Sequence, residues 1–197
     1  MRLQSENLLQ IFAGADTTAI SLRAVFYHLL RNPAKLRKAV AEIDAATQAV
    51  NLSTPITDRE SRTHLPYTNA CIKEALRMHP AVGMVLERHV PAQGAEICGT
   101  WLPGGTIVGI NPWVVSYDDN LYPDPEKFEP ERWLSEAQGG SSSEKKLAEM
   151  DRCFFVFGAG KRVCMGRSLS WVEMRKVVCL ISRSVLMTSD GDVADRS

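Results

Sequence analysis

The chain lacks the features that mark several specialised classes of protein. It has no apolar run near the roughly 18 to 20 residues that a membrane-spanning helix needs. Lys and Arg total 23 and are balanced by 23 Asp and Glu, so the basic excess that nucleic-acid binding requires is missing. Residues 1–13 show neither a basic leader nor a cleavage site. The sequence therefore predicts a soluble chain with no anchor, no signal, no membrane segment and no nucleic-acid partner.

Cysteine is scarce and dispersed. The chain has five cysteines, an odd number, with no Cys-x-x-Cys pair. This spacing argues against both a disulfide framework and a structural zinc site. Cys71, Cys98, Cys153 and Cys179 flank apolar residues and are predicted to be buried thiols. Cys164 lies in a different context, considered below.

Composition and periodicity predict a compact fold that is mainly α with a small β-sheet. The 197 residues are 45% hydrophobic and 23% charged, which are average values for a globular protein. Apolar residues at helical spacing predict helices over 6–30, 33–47, 67–78 and 169–181. Short β-prone runs with intervening glycines, between residues 82 and 110, predict one small sheet of hairpins.

The remaining segments are predicted to be irregular. Three prolines between Tyr122 and Pro130 predict an ordered meander without regular structure. The Gly- and Ser-rich stretch from Gln138 to Lys146 predicts a flexible loop. We expect one structural unit over residues 1–185 and a polar, frayed tail over residues 186–197.

Residues Ala13–Thr18 break the rules of a helix interior. Gly14 costs about 1 kcal/mol there relative to alanine, and the hydroxyls of Thr17 and Thr18 can bind a carbonyl one turn back. Together they predict a kink or bulge. One interpretation is a helix–helix contact through the small glycine. The other is a loosened helix that admits a small ligand or water, with Asp16 and Thr17 supplying protons.

Glu74 and Arg77 form an opposite-charge pair one turn apart on a helix whose other residues are core-like. At the surface such a pair contributes only a few tenths of a kcal/mol. If the pair is buried it needs a third partner, because a buried charge must be compensated. Arg132, in the sequence Pro-Glu-Arg-Trp, is the candidate.

The stretch Phe157–Gly166 carries the strongest chemical signal. Two glycines before Cys164 permit a tight backbone turn, and Gly166 leaves room for a bulky group. A sulfur at a helix N-terminus is favoured as thiolate, and Arg162 could hold an anionic group of the same ligand. One thiolate with no neighbouring Cys or His cannot complete a zinc site. A macrocycle that supplies four nitrogens removes that difficulty, as haem does.

These residues resemble the haem-binding loop of the cytochrome P-450 monooxygenases. The six matching positions are Phe157, Gly158, Gly160, Arg162, Cys164 and Gly166. Other family patterns follow in the same order along the chain. Residues 13–18 resemble the oxygen-activating segment of the distal helix, residues 74–77 the Glu-x-x-Arg pair, and residues 130–133 the meander motif, while Arg88 resembles the arginine that contacts a haem propionate.

The resemblance implies a fold, a reaction and partners. The fold would be the C-terminal part of the cytochrome P-450 fold, from the distal (I) helix to the proximal (L) helix. The reaction would insert one atom of O₂ into a small organic substrate, with electrons from NADPH through a cytochrome P-450 reductase. The chain also resembles fungal members related to pisatin demethylase, which implies fungal secondary metabolism and a full-length parent at the endoplasmic-reticulum membrane.

The resemblance also implies residue roles. Cys164 would be the axial ligand of the haem iron, and Asp16 and Thr17 would deliver protons. Phe157 would pack against the sulfur side of the ring. Further roles by resemblance are propionate binding by Arg88 and Arg162, backbone shape by Gly158, Gly160 and Gly166, scaffold stability by Glu74, Arg77 and Arg132, and substrate contact by Val82, Gly83 and Met84.

Two alternatives remain open from the sequence. Family members are more than twice as long, so we expect a fragment that is inactive alone, or a non-catalytic remnant that cannot hold haem. The more distant alternative is a metal-free α+β interaction module in which Cys164 is a spare thiol and Glu74 and Arg77 form a surface pair.

Overall fold

The structure, a computed structural model, describes the backbone of residues 2–191 and the side chains of residues 11–182. It is mainly helical with small antiparallel sheets, as predicted. The helices are α1 (Arg2–Arg31), α2 (Pro33–Val50), α3 (Asp58–His64), α4 (Pro66–Met78), α5 (Pro112–Ser116), α6 (Glu144–Arg152) and α7 (Arg167–Gly191). The strands are β1 (Leu86–His89), β2 (Ala95–Ile97), β3 (Thr100–Leu102) and β4 (Ile107–Ile110). Short 3₁₀ turns occupy Pro130–Trp133, Glu136–Gln138, Phe155–Phe157 and Gly160–Arg162.

Local signals set the helix boundaries. Pro33 and Pro66 occupy the first turns of α2 and α4, where a missing N–H costs nothing. The sequence Thr57-Asp58-Arg59-Glu60 has the spacing of a capping box, and Thr57 and Glu60 form one at the start of α3, in which each side chain accepts the backbone N–H of the other. These three helix starts therefore follow from the sequence alone.

The predicted small sheet is divided into two separate antiparallel pairs of strands. β1 pairs with β4, and β2 pairs with β3 in the hairpin between them. Pro91 and Pro103 stand at the junction of the two pairs, and proline cannot donate to a ladder. The β2–β3 turn places Cys98 and Gly99 at positive φ, and Cys98 is exposed there. The expectation that Cys98 is buried was therefore wrong.

The predicted flexible loop is shorter than expected. α6 begins at Glu144, inside the predicted loop, because Ser143 caps the helix by accepting the backbone N–H of Lys146. Ser142 is buried rather than solvated. The glycines and serines that indicated flexibility act here as a helix stop and a helix start.

α4 lies at the centre of the fold. It packs against α1, α2, α7 and the 3₁₀ turn at Pro130–Trp133. Its apolar residues join one core with residues of α1 and α7, namely Val25, Leu29, Cys71, Ile72, Ala75, Leu76, Met174 and Val178. α4 therefore places Glu74 and Arg77 in the interior, where both are fully buried.

The last helix is longer than its predicted span of 169–181, since α7 covers Arg167–Gly191. The expected frayed tail over residues 186–197 stays a prediction, because residues 192–197 lie outside the described part of the chain. No helix among the described residues is long and apolar enough to cross a membrane.

Candidate active site

α1 is a continuous α-helix through residues 13–18, so the predicted bulge is not formed, and the predicted kink stays a prediction. The Thr17 hydroxyl does donate to the carbonyl oxygen of Ala13, at 2.6 Å, but the backbone stays helical around this bond. A Cβ placed on Gly14 would meet no atom within 4 Å. Gly14 therefore makes no helix–helix contact among the described residues and leaves open space beside α1.

The loop that carries Cys164 is folded by its own backbone. The Cys164 N–H donates to the Phe157 carbonyl at 2.8 Å, and the Gly158 N–H donates to the Phe155 carbonyl at 2.8 Å. Gly158 has φ of +72°, a conformation that L side chains rarely adopt. Cys164 lies three residues before α7, and its thiol is exposed.

Residues of α1 and of the cysteine loop line one cavity of about 180 Å³. Among the sequence-predicted residues, those that line it are Thr17, Val82, Phe157, Gly158, Arg162 and Cys164. Asp16 is exposed on α1 outside the lining. The structure thus brings the predicted proton-delivery helix and the predicted metal ligand to the same space.

Arg88 lies near the cavity without lining it. Leu86 lines the cavity, and Arg88 is two residues further along β1, on the same face of the strand. The Arg88 guanidinium donates to the Glu87 carbonyl at 2.6 Å. Within residues 11–182 neither Arg88 nor Arg162 forms an ion pair, so both guanidinium charges are available to an anionic group.

The other sequence-predicted residues lie around the cavity. Gly83 lines a neighbouring groove beside Trp113, and the side chain of Met84 is 74% exposed. A Cβ on Gly160 would meet nothing within 4 Å, and one on Gly166 would lie 3.8 Å from the Cys164 sulfur. Apart from this sulfur, no atom outside the immediate chain neighbours lies within 4 Å of either position.

Glu74, Arg77 and Arg132 meet in the interior. Glu74 Oε1 accepts from Arg77 Nη2 at 2.9 Å and from Arg132 Nε at 3.0 Å. Arg77 also donates to the carbonyls of Ser116 and Pro125, and Arg132 donates to that of Pro123. The two arginines thus tie the proline-rich meander to α4, at a distance from the cavity.

Sequence reasoning missed residues that act through hydrogen bonds. Trp133 donates its indole N–H to Glu74 Oε2 at 2.8 Å. Ser21 and Ser170 line the cavity, where Ser21 donates to the Thr17 carbonyl and the Ser170 hydroxyl contacts that of Thr18. The Pro-Glu-Arg-Trp sequence could have indicated Trp133, whereas no local pattern marks Ser170, which meets α1 only in the folded chain.

The donor chemistry of the cavity fits a haem group. The described residues contain no cluster of three His, Cys, Asp or Glu side chains that could hold a bare metal ion. Cys164 offers one exposed thiol, and Arg162 offers a cation on the same cavity. A single sulfur ligand suits an iron whose other in-plane ligands come from a macrocycle.

Comparisons with known proteins agree with this chemistry. The cytochrome P-450 family profile matches residues 2–188. A cytochrome P-450 monooxygenase of Aspergillus terreus is 45% identical over 174 residues, which are 88% of this chain and 34% of that protein. The monooxygenase cicH of Emericella nidulans is 44% identical over 85% of this chain and 32% of its own length. ACRTS1 of Alternaria alternata is 40% identical over 88% of this chain and 44% of its own.

The chain spans about a third of the length of the first two of these relatives. The family profile nevertheless covers nearly the whole chain, and it includes both the α1 segment and the cysteine loop. The chain therefore belongs to the cytochrome P-450 family of haem-containing monooxygenases.

Proposed function

We propose that this chain is the haem-binding, C-terminal part of a monooxygenase that inserts one atom of O₂ into a small organic substrate. The observation that supports this proposal is the shared cavity of Thr17 on α1 and Cys164 before α7. A hydroxyl that can hold a proton and a sulfur that can bind iron therefore line the same cavity. The electrons would come from NADPH through a cytochrome P-450 reductase.

The residues around the cavity have distinct tasks in this proposal. Cys164 would hold the iron as thiolate, and Arg162 and Arg88 would pair with the propionates. Phe157 would pack its ring on the sulfur side, where it is already half-buried against Trp171. When bound, haem supplies the redox chemistry of oxygen activation.

Proton delivery would use two neighbours on α1. Asp16 is exposed and can exchange a proton with water. The Thr17 hydroxyl donates to the Ala13 carbonyl, which fixes its oxygen at the cavity wall and leaves that oxygen free to accept a further hydrogen bond. Asp16 would therefore take up a proton from solvent, and Thr17 would hold one at Oγ1.

We also propose that the chain does not oxidise substrate alone. Large apolar side chains on α1, on the segment before β1, on β4 and beside the cysteine loop are exposed, among them Phe12, Met84, Val85, Ile107, Met165 and Leu169. Surfaces of this kind usually belong to an interface. In its relatives, two thirds of the chain lies outside the matched region, and that part would cover such side chains. The remnant alternative differs in that haem would not bind at all.

The finer assignments extend the same proposal. The full-length protein would lie at the endoplasmic-reticulum membrane and belong to the pisatin demethylase-like subgroup of fungal secondary metabolism. Val82 lines the cavity, and Gly83 and Met84 follow it, so this segment would contact the organic substrate. Glu74, Arg77 and Arg132 would hold the scaffold.

Haem reconstitution tests the proposal. The chain is purified, loaded with haem, reduced and exposed to CO, and its absorbance is recorded. An absorption band at about 450 nm is expected for a thiolate ligand and one at about 420 nm for haem held without it. Cys164→Ala should abolish the first band, whereas Cys98→Ala, which removes another exposed thiol, should leave it unchanged.

Each outcome decides between the candidates. Survival of the 450 nm band in Cys164→Ala would show that another residue is the ligand. Failure of the unaltered chain to take up any haem would favour the remnant or the metal-free module. Haem binding without product formation would support the inactive C-terminal part.

A further inference from the structure

We propose that the hydroxyls of Thr18 and Ser170 form a positioning pair that sets the register between the two walls of the cavity. The inference rests on the proposed function, because it concerns how Thr17 and Cys164 are held relative to each other. Neither hydroxyl is assigned a chemical step. The pair acts by holding α1, which carries Thr17, against α7, which follows Cys164.

The geometry of this pair is simple. Thr18 Oγ1 lies 3.3 Å from Ser170 Oγ, across 152 positions of sequence. Thr18 is buried, and Ser170 is half-buried. Thr18 directly follows Thr17, and both hydroxyl residues line the cavity with Cys164.

The pair lies in line with buried apolar residues of α1 and α7, two helices that pack against each other. From Thr18, Val25 and Leu29 follow at helical spacing on α1, and from Ser170, Met174 and Val178 follow on α7. Those four apolar residues are fully buried in one core. An apolar stripe can slide by small steps, whereas a hydrogen bond has a preferred direction and length. At 3.3 Å the Thr18–Ser170 contact is a long hydrogen bond, and it favours one register at the end that faces the cavity.

Ser170 is also linked to the cysteine loop through the backbone. Its N–H donates to the Gly166 carbonyl at 2.9 Å, in the first turn of α7. The Arg167 N–H donates in turn to the Cys164 carbonyl at 3.4 Å. A displacement of Ser170 relative to α1 would thus be passed to the segment that carries the sulfur.

Hydrogen–deuterium exchange tests whether the pair holds the two helices in register. It is measured on the complete chain, with or without haem. The variants are Ser170→Ala, Thr18→Val and the double variant, and the readout is amide exchange in residues 157–170. Loss of one hydrogen bond should speed exchange there about five-fold. Because the two hydroxyls act as one unit, the double variant should exchange no faster than either single variant.

Two controls separate positioning from general stability. Ser168→Ala makes the same change on an exposed position of α7 and should leave exchange unaltered. Thr18→Ser keeps the hydroxyl and should restore the exchange of the unaltered chain. Alanine has a higher helix propensity than serine, so Ser170→Ala should fold even if Thr18→Val does not.

In haem-loaded chain, Ser170→Ala should also move part of the CO band from about 450 to about 420 nm.

The inference and the proposed function fail in different ways. Equal exchange in Ser170→Ala and Ser168→Ala would overturn the positioning pair, and so would effects that simply add in the double variant. A 450 nm band that survives Cys164→Ala would overturn the proposed ligand while leaving the exchange result intact.

Discussion

The indole N–H of Trp133 donates to Glu74 Oε2 at 2.8 Å, in the interior between α4 and the meander. Glu74 accepts five hydrogen bonds in all, from Arg77 twice and once each from Arg132, Trp133 and the Glu129 N–H. An ionised carboxylate has about four lone-pair sites. Three of these bonds end on Oε1 and two on Oε2, so every acceptor direction of this buried group is used.

Trp133→Phe removes one donor and keeps an aromatic ring beside Tyr122 and Phe154. Because hydrogen bonds to charged groups contribute about 1.5–3 kcal/mol, we expect the free energy of unfolding to fall by about that amount. Urea unfolding followed by circular dichroism measures it. Trp101→Phe, at an exposed tryptophan of the β2–β3 hairpin, is the matched control and should change little. Equal effects of the two changes would contradict the prediction.

Glu74→Gln should lower the free energy of unfolding by more than Trp133→Phe does. It removes the negative charge that compensates Arg77, whose side chain is fully buried, and Arg132. Breaking a buried pair by removing one partner costs about 3–5 kcal/mol, against a total stability of about 5–15 kcal/mol. The urea midpoint should therefore drop sharply, or cooperative unfolding should disappear. Glu136→Gln, at an exposed position, should have no such effect.

The capping box of α3 predicts a stability that depends on pH. Hydrogen bonds from Ser53 and Thr57 lower the pKa of Glu60 from 4.5 to about 2. The two backbone N–H donors lie 3.0 and 2.8 Å from its carboxylate oxygens. Because the pKa is lower in the folded chain, protonation favours the unfolded chain. The stabilisation is thus present above pH 4.5 and is lost as the pH falls toward 2.

Glu60→Gln tests the direction of this pH dependence of stability. Glutamine keeps the capping geometry but has no titrating proton. Between pH 4.5 and 2 the urea midpoint of the unaltered chain should fall more steeply than that of Glu60→Gln, and at pH 7 the slopes should agree. Other carboxylates also titrate in acid, for example Asp124 beside Lys127, so the difference between the two curves is the readout. Parallel curves over the whole range would contradict the prediction.

Local features of the fold could be predicted, whereas long-range features could not. Proline at the start of α2 and the capping box of α3 act within one turn, so the sequence contains the whole interaction. The pairing of β1 with β4 joins residues about twenty positions apart. Glycine and serine between 138 and 146 indicated flexibility, but Ser143 is a cap whose effect depends on the helix that follows it.

The same division holds for the candidate site. Cys164, Phe157 and Arg162 lie in one short loop, so the spacing of their residue types was sufficient to single them out. The contact of Ser170 with Thr18 depends on the packing of two helices that are distant in sequence, and no periodicity indicates it. Thr17 lines the cavity, whereas the bulge expected beside it is not formed, and the backbone stays helical although the Thr17 hydroxyl donates to the Ala13 carbonyl.

The thiols differ in their accessibility, which offers a chemical readout of the site. Cys98 and Cys164 are exposed, whereas Cys71 and Cys179 are buried. Burial raises the pKa of Cys179 to about 11 and raises that of Cys71 further. Alkylating reagents attack the thiolate, so the two buried residues are doubly protected. Brief treatment of the folded chain with iodoacetamide at pH 8 should therefore label Cys98 and Cys164 first.

Haem should change this pattern at one position. A sulfur bound to iron is shielded and cannot be alkylated, so reconstitution with haem should suppress the labelling of Cys164, whereas Cys98 on the distant hairpin turn should react as before. Peptide mass spectrometry gives both extents in one sample, with Cys98 as the internal control. Equal protection of the two cysteines would indicate aggregation rather than ligation. Undiminished labelling of Cys164 in chain that has taken up haem would exclude this sulfur as the iron ligand.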